Sequence, residues 1–161
     1  MRPFEDARLK EIEALYRSRF PHFVQVAMAI VGDRQVALEA VQDAFAGAVR
    51  SRRTFRGEGP LEGWIWRAVV NAAYNAKRTP EPAEAGRRNQ ENGYELHDEG
   101  GLWPHISLLP ERQRAALFLR YYADLDYRSI AEALGIEIGT VSATLSAAHT
   151  SLRRSLGKAP R

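Results

Sequence analysis

Between Phe55 and Arg78 the chain interleaves rings with cations and amides: Phe55, Arg56, Trp64, Trp66, Arg67, Asn71, Tyr74, Asn75, Lys77 and Arg78 share one short stretch. Rings stack on unpaired bases while cations neutralise phosphates, so this composition suits single-stranded DNA. A helical apolar stripe of Trp64, Ile65, Ala68, Val69 and Ala72 runs through it and makes Trp64 a core anchor. The roles of Trp66 and Tyr74 stay open. Gly57-Glu-Gly-Pro60, just ahead, is a loop.

Bond-making chemistry has no comparable set. The chain lacks a glycine-rich phosphate loop, a nucleophile elbow and a metal-ligand helix, so an enzyme is not expected. It has no cysteine, which excludes disulfides and thiolate sites and suits a reducing cytoplasm. Its four histidines, His22, His97, His105 and His149, are scattered without ligand spacing, and neither a metal nor a cofactor is expected.

A second candidate surface lies in Asp126 to Leu156. Ile130, Ala131 and Leu134 share a helix face, Gly135 follows where a left-handed cap is needed, and Val141, Leu145, Ala148 and Leu152 form the stripe of a second helix. That is a helix-turn-helix pattern, whose second helix lies in the DNA major groove. Ser142, Ala143, Thr144, Ser146, Ala147 and His149 fall off the stripe, and positive charge is nearly absent until Arg153 and Arg154. Two packed helices with a glycine turn also occur in helical proteins that never touch DNA. A formal net charge of +3 permits an acidic partner without demanding one.

The elements that must position these residues are all helices. Leu9, Ile12, Leu15, Tyr16, Phe23, Ala27 and Ile30 predict a long helix, bent or broken near Phe20 because Pro21 follows. After a turn at Gly32 and Asp33, a second helix carries Val36, Ala37, Ala40, Val41, Ala44, Phe45 and Ala48 inward and Glu39, Gln42 and Asp43 outward. Residues 79–101 are rich in Pro, Gly and charge without apolar period, which predicts a flexible linker. Beyond it, a short apolar helix over Leu102 to Leu109 and another opened by Pro110 complete the second part, and Gly157 to Arg161 fray. The expectation is an all-α chain of two small helical domains, 1–78 and 102–161. The N-terminus is too charged for a signal peptide and no apolar run spans a bilayer, so a soluble, cytoplasmic protein without membrane insertion is expected.

Three stretches in this order resemble the bacterial RNA polymerase sigma factors of the extracytoplasmic-function (ECF) type, in the sigma-70 family, which have only regions 2 and 4. They run from Leu15 to Val49, from Phe55 to Arg78 and from Leu109 to Leu145. The resemblance implies region 2 at 1–78 and region 4 at 102–161. It also implies that the protein directs core RNA polymerase to promoter DNA, double-stranded and melted, and meets an anti-sigma factor that holds the domains shut. Val41-Gln42-Asp43-Ala44-Phe45 resembles the surface for the polymerase clamp helices, making Gln42, Asp43 and Phe45, with Glu39 nearby, implied polymerase contacts. Phe55 to Leu61, with Arg56 and Glu58, resembles the loop that captures a base flipped from the duplex, an extrusion that stacking and a shaped pocket must offset. With Trp66, Arg67, Asn71, Tyr74, Asn75 and Arg78 it forms the implied minus-ten set. Glu111 to Arg114 resembles the opening of region 4, and the implied upstream-element set is Arg112, Arg128, Thr140, Ser142, Ala143, Thr144, Ser146, His149 and Arg153.

Departures from the family pattern carry expectations too. Val70 stands where an arginine is common and Asn75 where an aspartate is. Ser142-Ala-Thr-Leu145 replaces a Lys-Ser-Arg-Leu string. If about three phosphate contacts are missing, the log–log salt slope of binding flattens by roughly 0.9 per contact. Promoter affinity then rests mainly on minus-ten recognition and polymerase tethering. The alternative is a sigma-like regulatory protein that binds polymerase or an anti-sigma partner without reading an upstream element.

Overall fold

Caps set the helix boundaries. Asp33, between the first two helices, accepts a hydrogen bond from the Val36 backbone N–H at 2.9 Å and starts the second helix as its N-cap. Asp126 does the same for the Ser129 N–H at 2.8 Å, and Gly135, at φ 65°, ends that helix in the left-handed region. In the computed structural model, which describes residues 3–78 and 101–158, every regular element is helical. The helices are α1 (Pro3–Val31), α2 (Arg34–Arg50), α3 (Leu61–Arg78), α4 (Trp103–Ile106), α5 (Glu111–Leu117), α6 (Tyr127–Leu134) and α7 (Ile138–Gly157). A 3-10 turn, Arg52–Thr54, follows α2, and a wider π-helical turn, Phe118–Tyr122, continues α5. The expected linker lies almost wholly outside the described residues, as do the last three residues of the tail.

α1 is helical without interruption through Pro21, so the break expected near Phe20 does not occur. Proline costs a helix interior about 3 kcal/mol. Here it sits on the exposed face, while Ile12, Phe23 and Val24 on either side are buried, so packing keeps the helix continuous through it.

α1, α2 and α3 pack on one another, and in the second half α7 packs on both α5 and α6. A helix lying on one layer buries a stripe. From Phe23 to Ile30, α1 instead buries every residue except the half-buried Gln25. The second half supplies the other layer: α5 and its π-helical turn lie on α1, and α6 lies on α3. One contiguous apolar core therefore runs from Ile12 to Ala148. Among the described residues no single helix is long and apolar enough to cross a membrane, and no group of three or more His, Asp or Glu could hold a metal ion.

Candidate nucleic-acid and polymerase interface

α3 buries Ile65, Trp66, Val69, Val70 and Ala73, one residue further round than the stripe inferred from Trp64, Ala68 and Ala72. Trp66, expected to face DNA, has no solvent exposure. Its ring centroid lies 4.2 Å from that of Phe23, and its indole N–H donates to Glu62 Oε1 at 3.3 Å. With its one polar atom satisfied inside, Trp66 is the core anchor. Trp64, expected to fill that role, is half-buried at the edge of the helix.

The open side of α3 carries Arg67, Asn71 and Asn75, spaced by four and therefore aligned. Tyr74 is half-buried beside them; the Arg78 side chain lies outside the described residues. Val70, where the family has an arginine, is buried. Two grooves flank the stripe. One of about 360 Å³ runs between α2 and α3, floored by Ala44, Gly47, Ala48 and Ala68 and rimmed by Asp43, Ser51, Trp64, Arg67 and Asn71. The other, of about 800 Å³, lies between Asn71, Tyr74, Asn75 and Lys77 of α3 and Glu111, Arg112 and Leu134 of the second half. Arg56 and Glu58 are exposed on the intervening loop, in which Gly57 and Gly59 have positive φ. Phe55 is half-buried: its ring centroid is 5.5 Å from that of Trp64, and the Arg8 guanidinium carbon lies 4.5 Å from its centre.

On α2, Glu39, Gln42 and Asp43 are exposed, and Glu39 accepts from Gln35 Nε2 at 3.1 Å. Phe45, implied as a polymerase contact, is buried instead. It meets Tyr16 at 5.0 Å and Phe23 at 5.1 Å edge to face, because it shares the inward stripe of Val41, Ala44 and Ala48.

In the helix-turn-helix, Thr140, Ser142, Ala143, Ser146 and Arg153 stand exposed on α7, and Arg128 on α6. Two members of the implied set are otherwise engaged. The half-buried Thr144 returns its hydroxyl to the Thr140 carbonyl at 2.7 Å, and His149 Nε2 lies 2.8 Å from the Tyr121 hydroxyl. Arg112 is exposed but lines the groove opposite α3 rather than continuing the face of α7.

Arg8, Glu62 and Glu132 also shape this surface. Glu132 reaches from α6 to α3, where a Cβ added at Gly63 would stand 3.0 Å from its Oε2. Helical spacing alone exposes only the Glu62–Trp66 pair, which is four residues apart; the other partners meet through folding.

Two sigma family models match the chain: sigma-70 region 2 over residues 15–80, and sigma-70 region 4 over residues 106–152. The ECF RNA polymerase sigma-E factor of Haemophilus influenzae is 30% identical, over 77% of this chain and 76% of its own. The RNA polymerase sigma-H factor of Pseudomonas aeruginosa is 28% identical, over 78% and 76%. Among solved structures, CnrH in complex with the cytosolic domain of CnrY is similar at a TM-score of 0.73, with 16% identity over 97% of this chain and 96% of that one. The Bartonella quintana sigma factor RpoE in complex with the anti-sigma factor NepR is similar at 0.70, with 20% identity over 94% and 99%. Two sigma models in order and a 30% identical relative over most of both chains place this chain in the sigma-70 family as an ECF-type sigma factor, which directs core RNA polymerase to promoters.

Proposed function

We propose that the first half, residues 1–78, recognises and melts the minus-ten element, and that α2 tethers the polymerase through Glu39, Gln42 and Asp43. The observation that carries this reading is the exposed Arg67, Asn71, Asn75 stripe beside a groove rimmed by Trp64, Arg67 and Asn71. A flipped base needs a ring to stack on and polar groups for its edge; Trp64 and Asn71 supply both, and Arg67 a phosphate contact. Trp64 thus takes the DNA-facing place that the family resemblance implied for Trp66.

The second half, residues 102–161, reads the upstream element with little charge. Thr140, Ser142 and Ser146 offer hydroxyls and Ala143 a methyl to base edges, while phosphate contacts fall to Arg128 and Arg153. The neutral face of α7 also supports the second reading, in which it meets a protein instead. An anti-sigma partner is proposed too, in keeping with the similar Bartonella quintana RpoE, which is described in complex with one.

Reconstituted holoenzyme tests the assignment. Trp64→Ala or Asn71→Ala should reduce promoter opening by about tenfold or more, the scale of one lost base contact or stack at 1–3 kcal/mol, with polymerase binding little changed. Gln42→Ala with Asp43→Ala should do the reverse. Equal loss of both steps in either variant would show that the two faces are wrongly assigned. Replacing Ser142 and Thr144 by glutamate separates the readings of α7: lost promoter output supports DNA contact, and lost partner binding with unchanged output supports the protein surface.

A further inference from the structure

The aromatic rim of the groove between α2 and α3 is held from outside both helices. Phe55 ends the 3-10 turn after α2, and that turn is tied down locally. The Ser51 hydroxyl donates to the Gly47 carbonyl, the Thr54 hydroxyl to the Ser51 carbonyl, and Arg52 Nη1 to the Val49 carbonyl, each at 2.7 Å. Beyond Phe55 the chain runs out into solvent: Arg56 to Pro60 are all exposed, and Gly57 and Gly59 turn it through positive φ. Phe55 is therefore the last anchored residue ahead of the loop.

Two side chains hold its ring. Trp64, on the rim of the groove, lies with its ring centroid 5.5 Å away and tilted by 47°. The guanidinium carbon of Arg8 stands 4.5 Å from the ring centre. Arg8 comes from α1, on which the 3-10 turn also packs.

The placement of Arg8 is not explained by its own hydrogen bonds. Its Nη1 is buried and has no hydrogen-bond partner, which costs stability for a charged donor. The ring offsets that cost, because a cation shielded from water is drawn to an aromatic face more strongly than an exposed one.

We propose that Arg8 is a positioning residue for base capture: it fixes the Phe55 ring, and Phe55 fixes the Trp64 ring at the rim before a base arrives. The proposal rests on Trp64 being the ring on which the flipped base stacks. A platform ordered in advance loses less freedom on capture, so more of the stacking energy appears as promoter opening. Arg8 itself stays one ring away from the base.

The chain has three tryptophans, so 5-fluorotryptophan labelling gives one fluorine resonance each for Trp64, Trp66 and Trp103. Arg8→Met keeps an unbranched apolar stem and removes the cation. It should shift or broaden the Trp64 resonance and leave that of the buried Trp66 in place. In reconstituted holoenzyme it should slow promoter opening about fivefold by permanganate footprinting, the scale of one cation–ring contact, with polymerase binding unchanged. Arg8→Lys, which restores a cation, should recover most of the rate and provides a second variant with its own fluorine spectrum. In a Phe55→Leu background Arg8→Met should cost nothing further, because the ring through which Arg8 acts is gone. An unmoved Trp64 resonance, normal opening by Arg8→Met, opening by Arg8→Lys as slow as by Arg8→Met, or a full further fivefold loss in the Phe55→Leu background would overturn the proposal. Trp64→Ala keeps the two readings apart. An opening defect there combined with normal opening by Arg8→Met defeats the positioning role alone. Normal opening by Trp64→Ala defeats the stacking assignment, and the positioning role with it.

Discussion

Trp66 is the largest side chain in the protein with no exposure, stacked on Phe23 and bonded to Glu62. Trp66→Ala should cost about 3–5 kcal/mol, the range for emptying a large aromatic site, measured by urea unfolding. Trp64→Ala removes a half-buried ring and should cost less than half as much, while it impairs promoter opening. A comparable loss of stability in both would show that the two rings share the core. The pair was hard to assign from sequence because Trp64 and Trp66 flank a strip that both readings share, Ile65 and Val69, so widening that strip by one residue to either side fits the apolar pattern almost equally. Phe23, on another helix, decided between them. Phe45 is the complementary case: its helical stripe already pointed inward, and only the family motif placed it outside.

At the scale of the element, the helix-turn-helix is defined by two short-range devices. The Ser129 backbone N–H, bonded to the Asp126 carboxylate, holds that carboxyl below its ordinary value of 3.8, with the Ser129 side chain a lesser cause. A carboxylate depressed in the folded state adds stability above its unfolded value and loses it as pH falls through the folded one. Asp126→Ala should therefore cost about 1 kcal/mol at neutral pH, and the gap from wild type should close under acid below that range. Thermal unfolding of both proteins across pH checks this; a gap that persists in acid would mean that the charge-assisted cap is not its source. Gly135, at φ 65°, should resist alanine by about 1–2 kcal/mol, because a Cβ there meets the following carbonyl. Gly135 was legible in the sequence, as a glycine directly after an apolar stripe; the Asp126 cap acts over the same few residues of chain and emerged with the structure. Pro21 was misread for the opposite reason: its local cost is real, but packing on both sides outweighs it.

For the whole molecule, the shared core sets the expectation. With α1 buried between two layers, the halves should unfold together, giving coincident transitions by far-ultraviolet circular dichroism and by tryptophan fluorescence. In the Arg19→Ala, Arg114→Ala chain, which loses the hydrogen bonds from these side chains to the Ala123 and Ala29 carbonyls of the opposite half, the transitions should separate. Two resolved transitions in the wild-type chain would show that the halves are stabilised independently.

The sequence by itself determined the helices, the Gly135 cap, the order of the two sigma regions and the sparse charge of α7, because each depends on residues a turn or two apart or on a motif kept in line. Tertiary structure alone decided which tryptophan faces the core, and that Arg19 and Arg114 find carbonyls on opposite halves. The physical reason is range. Helix periodicity reports which side of a helix is apolar, but the layer that covers it, and the helix end that lacks a donor, become partners only when distant segments are brought together.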